Sequence, residues 1–128
     1  FSPELFEKFC NYYVTGFQRI VRQLSHFALE GVFFPSSIFV QELQPGMDEY
    51  AVAKKAGETI CSSLAIEFPN IIFQKPRLPK MATDQTVGLT PSRPVNPRVV
   101  LLELLRTFRD SSPLSQTANR HDRTFSDN

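Results

Sequence analysis

The stretch GVFFPSSIFVQELQPGMDEYAVAKKAGETICSSLAIEF, residues 31–68, decides how the fold is read. It opens on a short apolar run that reaches Pro35 and two small hydroxyl residues, Ser36 and Ser37. An unbroken apolar run of this length, bounded by a proline, reads as a strand buried on both faces, the habit of parallel sheets. IFVQELQPGMDE then reads as a loop of about a dozen residues. From about Asp48 to Phe68 the alanines, Tyr50, Val52, Ile60 and Leu64, interspersed with charges, predict a helix opened by an acidic cap and closed near Pro69.

Upstream, Ser2, Pro3 and Glu4 form a helix opening: a hydroxyl cap, a proline suited to the first turn, and a carboxylate at the positive end of the dipole. Leu5, Phe6, Phe9, Tyr13, Phe17, Ile20, Val21 and Leu24 recur at three and four, which predicts one helix from about residue 3 to 24. Downstream, NIIFQKP is a second candidate buried strand. RLPKMATDQTVGLTPSRPVNP follows as a proline-rich loop, and Arg98 to Arg109 as a short amphipathic helix. The residues from Asp110 are polar and predict an unstructured tail over 110–128.

Helix, buried strand, helix, buried strand, helix is the alternation of an α/β fold with a parallel sheet and right-handed crossovers. A two-stranded parallel sheet has almost no stability of its own, so further strands are expected from residues absent here or from a partner chain. The chain opens on Phe1 with helical spacing already under way, and residues 1–109 are therefore expected to be a fragment of a larger domain.

Composition narrows the function classes. The 128 residues, 41% of them hydrophobic, suffice for one core. A net charge of +1 with dispersed charges gives no cationic face for nucleic acid or an anionic membrane. No run reaches the roughly 18 apolar residues of a membrane span, and no signal peptide is evident. Cys10 and Cys61 lie in apolar patterns without metal or redox spacing, which favours buried free thiols and a reducing, cytoplasmic setting.

The chemistry lies in Ser37, Tyr50 and Lys54. Tyr50 and Lys54 stand four apart, so both project from one helix face. Ser37 falls at the carboxyl end of the first strand, where open α/β sheets bind ligands. A phenol with a pKa of about 10 is a poor acid or base near neutrality, but a neighbouring ammonium favours the phenolate, and Lys54 is placed to lower the pKa of Tyr50. A serine hydroxyl beside them can orient a substrate oxygen while Tyr50 moves a proton.

Twelve residues separate Ser37 from Tyr50 and three separate Tyr50 from Lys54. This Ser-x12-Tyr-x3-Lys pattern resembles the catalytic signature of the short-chain dehydrogenase/reductases. YVTGFQRIV resembles that family's helix before the catalytic strand, VFFPSSIFV the strand, and EYAVAKKAGE the active-site helix, with a Lys-x2-Gly-Glu ending common in the extended members; the likeness covers about residues 3 to 88. It implies the C-terminal, catalytic half of a doubly wound, Rossmann-like domain, NAD or NADP as cofactor, and a small-molecule or carrier-bound carbonyl or alcohol as substrate. It also implies that Lys54 contacts the cofactor, that Pro79 lies near its carboxamide and Thr83 or Thr86 near its phosphates. Asn11 is the one candidate for the family's proton-relay asparagine, although alignment on Gly16 puts Tyr13 at that position.

No glycine-rich strand-to-helix turn is present, so the pyrophosphate cradle and most of the cofactor site are expected in an absent N-terminal half, and the chain alone is expected to be inactive. Phe39 and Met47 flank the site as candidate pocket walls; His26 reads as a helix-end cation and the other phenylalanines as core. Lys75, Arg77 and Lys80 sit near the phosphate candidates without choosing between the two cofactors. A ketoreductase-like oxidoreductase is the first reading. An epimerase/dehydratase-type fragment, or a non-catalytic dehydrogenase-like scaffold that forms homo-oligomers, are the alternatives.

Overall fold

A computed structural model describes residues 1–80 and 95–111. The N-terminal segment is helical from Pro3 to Leu24, as its spacing predicts, but in three pieces: α1 (Pro3–Cys10), a π-helical turn (Asn11–Gly16) and α2 (Phe17–Leu24). Ser2 caps α1, its side chain accepting the Leu5 N–H at 3.3 Å. The π turn closes on Gly16, where a Cβ would lie 2.6 Å from the Asn11 carbonyl oxygen. Glycine is the residue that tolerates this approach.

The strand expected over GVFF is split by Pro35 into β1 (Gly31–Phe33) and β2 (Ser36–Ser37). They pair in parallel with β3 (Ile72–Gln74) and β4 (Arg77–Leu78). β4 falls where the sequence reads as loop; two residues carry no periodicity, and only pairing with Ser36 and Ser37 makes them a strand. The register continues across the break, with Gly31 opposite Ile72 and Ser36 opposite Arg77. The Phe34 N–H donates to the Gln74 carbonyl at 2.7 Å and the Ser36 N–H to the Pro76 carbonyl at 2.9 Å. Pro35 and Pro76 lack the N–H a continuous ladder needs, so one ribbon reads as two.

Alternate strand residues face opposite sides. Val32 joins Val21 and Leu64 in the core, with Phe17, Ile60, Phe68 and Phe73 packed around them. Phe34 meets Phe17 with ring centroids 4.8 Å apart. On the other side, Phe108 of α4 (Pro97–Asp110) packs on Phe33 at 6.2 Å and on Gly31, where any Cβ would strike its ring. The chain is therefore a mixed α/β unit with helices on both sides of short parallel strands. Burial on both faces is incomplete, since Gly31, Phe33 and all of β3 are only half-buried. Among the described residues one helix, α4, covers their outer side.

α3 (Asp48–Glu67) is the long helix predicted before Pro69. Its start differs: Met47 occupies the cap without a side-chain hydrogen bond, and Asp48 and Glu49 lie in the first turn. Gly46, at φ 80°, makes the turn into it. A 3-10 turn (Ile38–Val40) follows β2, opened by Ser37, whose hydroxyl accepts the Phe39 N–H at 3.3 Å. α4 is capped by Asn96 and takes in Asp110, the first residue of the expected tail; residues beyond Ser111 lie outside the described residues. Both cysteines are free, Cys61 buried as expected and Cys10 only half-buried. Among the described residues no helix is long and apolar enough to cross a membrane.

Candidate active site

Ser37, Tyr50 and Lys54 meet where α3 crosses the end of β2. Ser37 closes the strand, Tyr50 lies in the first turn of α3, and Lys54 lies one turn later. The Ser37 side chain lies near enough to the Tyr50 phenol to act on its ionisation, in the lowering direction. The Lys54 Nζ stands 5.7 Å from the Tyr50 ring centroid and donates to the Pro35 carbonyl oxygen at 2.6 Å.

Tyr13, from the π turn, completes the surroundings. Its ring faces the Lys54 Nζ at 4.0 Å, and the Phe34 ring lies 5.2 Å from the same atom. Tyr13 and Tyr50 meet edge-on with centroids 5.7 Å apart, and Phe9 meets Tyr50 edge-on at 5.6 Å. Gly57 brings these elements together: a Cβ there would lie 2.7 Å from the Tyr13 carbonyl oxygen and would strike the Phe34 ring.

Burial in this aromatic setting pushes the Tyr50 phenol above its usual value, with Tyr13 acting in the same direction and the hydrogen bond from Ser37 opposing them. The expected lowering of Tyr50 by Lys54 is thus not the net effect in this chain. The ammonium turns to the Pro35 carbonyl and the face of Tyr13, and burial sets the direction for Tyr50. Lys54, 6% exposed, is itself lowered by burial to about 8. Burial raises the Tyr13 phenol as well.

A second polar cluster, which the sequence reading missed, supports the first. Glu58, buried one turn after Lys54, accepts a 2.6 Å hydrogen bond from the Ser36 hydroxyl and is held by Arg77 through two contacts of 2.8 Å. Those hydrogen bonds from Arg77 foremost, with Ser36 adding to them, take its carboxyl down to about 2. The cluster ties α3 to β2 beside Ser37 and to β4 opposite it. Lys75 donates to the Ser62 hydroxyl and, at 3.4 Å, to the Glu58 carbonyl oxygen. Lys75 and Arg77, considered near a phosphate site, are therefore both directed at α3. No spacing rule links Glu58 to Arg77; only the strand register does.

Other candidates are dispersed. Pro79 is half-buried just after β4, and Thr83 and Thr86 lie outside the described residues. Asn11 is exposed in the π turn, while Tyr13 takes the place beside Lys54. Phe39 and Met47 are half-buried around the connection from β2 to α3, and His26 is exposed just past the end of α2.

A nicotinamide cofactor can be tested against these donors. Lys54 spends one N–H on Pro35, and its other two suit the hydroxyls of a ribose. Gly16 and Gly57 admit close helix packing and Gly31 the seat of Phe108, so none of these forms a phosphate cradle. Among the described residues Lys54 offers donors to the ribose of such a cofactor, and none of these glycines cradles its pyrophosphate. Among the described residues no three His, Cys, Asp or Glu side chains are grouped to hold a metal ion. Comparison with known proteins finds no matching family model, no matching curated protein and no matching solved structure.

Proposed function

We propose that this chain is the catalytic portion of an NAD(P)-dependent oxidoreductase of the short-chain dehydrogenase/reductase type, acting on a carbonyl or alcohol that is free or carrier-bound. The reading rests on one juxtaposition: Ser37 acts on the Tyr50 phenol from the end of β2, and the buried ammonium of Lys54 lies one helical turn away. In this proposal Ser37 orients the substrate oxygen and Tyr50 gives or takes the proton at that oxygen. Lys54 holds the ribose hydroxyls and keeps positive charge beside the phenol. The cofactor, when bound, supplies or accepts the hydride. The parallel strands and the helices on both their sides suit a Rossmann-like sheet, with the remaining strands and the glycine-rich turn in an N-terminal half and the whole enzyme in the cytoplasm.

The second reading is a non-catalytic scaffold that pairs with other chains. It is favoured by the exposure of Tyr12, Ile20, Val52 and Ile66 along α2, α3 and the π turn. The test is NAD(H) and NADP(H) binding and carbonyl reduction by this chain beside a longer form carrying a glycine-rich strand–turn–helix unit upstream. Binding and turnover in the longer form alone support the oxidoreductase. A longer form that neither binds nor reacts hands the case to the scaffold.

A further inference from the structure

We propose that Tyr13 is a positioning residue for Lys54, its ring face serving as the counter-surface that keeps the ammonium charged and aimed beside Tyr50. Lys54 is 6% exposed, yet among the described residues no carboxylate pairs with it. Its hydrogen bond is to a neutral carbonyl, that of Pro35. The nearest carboxylate on its own helix, Glu58, is engaged by Arg77, Ser36 and Lys55. Glu49, on the preceding turn, is engaged by the Ser2 N–H. From β4 the charged group is Arg77, already committed to Glu58, and from Phe34 just after β1 and from the π turn the facing groups are aromatic. An ammonium taken out of water without an ion pair must find other compensation, and a π face within about 6 Å supplies it.

Of the three rings around the Nζ, Tyr13 is nearest at 4.0 Å, against 5.2 Å for Phe34 and 5.7 Å for Tyr50. Its position is fixed from behind, because the backbone oxygen of Tyr13 packs against Gly57, one turn along α3 from Lys54. The π turn has a purpose in this account: the wider turn presents the Tyr13 ring to α3 while its own carbonyl meets the glycine. The inference adds a residue to the oxidoreductase reading above, but the contact itself does not depend on catalysis.

The test is the titration of Lys54 in the intact chain, followed through the 13Cε resonance of labelled lysine and assigned with Lys54→Arg. Tyr13→Phe keeps the ring and is expected to leave the midpoint where it is. Tyr13→Leu removes the π face and is expected to lower the midpoint by about one pH unit, a tenfold loss of proton affinity. Because Leu risks misfolding, near-isosteric fluorinated phenylalanines at position 13 provide a second series. The midpoint is expected to fall stepwise as fluorine withdraws charge from the ring face. A midpoint unmoved by fluorination, or one moved as far by Tyr13→Phe as by Tyr13→Leu, overturns the proposal. Neither outcome depends on cofactor binding or turnover, so failure of the oxidoreductase reading registers separately.

Discussion

The Lys54 Nζ lies 4.0 Å from the centre of the Tyr13 ring, nearer than its 5.7 Å to Tyr50, its neighbour one turn back on the same helix. A residue from the π turn thus shares a site whose other members come from β2 and α3. Its desolvated ammonium gives the first prediction.

Burial lowers Lys54 from 10.5 to about 8, so between those values the unfolded chain binds more protons at this position than the folded one. Stability therefore rises with pH across that window, the penalty being fully present below 8, by at most about 3 kcal/mol from this residue. Denaturant unfolding of the natural chain and Lys54→Met from pH 7 to 10 should show that rise in the former and a flatter profile in the latter.

Glu58 behaves oppositely. Its folded value of about 2 lies below the ordinary 4.5, so its contribution is present above 4.5 and fades as pH falls toward 2. Glu58→Gln should cost about 2 kcal/mol near neutrality, where the buried carboxylate loses its charged hydrogen bonds, and the difference from the natural chain should shrink in acid. Equal losses at pH 7 and pH 3 would contradict the ion pair.

Gly57→Ala tests the close approach of α3 to the π turn. The added methyl meets the Tyr13 carbonyl at 2.7 Å and the Phe34 ring, and a backbone oxygen cannot move aside cheaply. A loss of about 1–3 kcal/mol by thermal or denaturant unfolding is expected, despite the gain in helix propensity that alanine brings.

Much of the frame was legible from residue spacing. The first helix over 3–24, the long helix ending before Pro69 and the strand at NIIF all follow from local periodicity and proline punctuation. The π turn was not, because six residues at ordinary helical spacing do not reveal where a turn widens to admit a neighbour's glycine. The acidic cap expected at Asp48 gave way to Gly46 and Met47, since the entry turn decides where the helix begins. In the candidate site, Ser37, Tyr50 and Lys54 stand out by their spacing along one strand and one helix. Tyr13, Glu58 and Arg77 depend on which elements pack together, and sequence separation conceals that.

The most direct test replaces the Tyr50 phenol in a longer form that carries a glycine-rich strand–turn–helix unit upstream, and measures cofactor affinity and carbonyl reduction side by side. Tyr50→Phe is expected to leave NAD(P)H binding within about twofold and to lower turnover by at least a hundredfold, the loss of a positioned proton donor. Turnover that survives Tyr50→Phe would contradict that role.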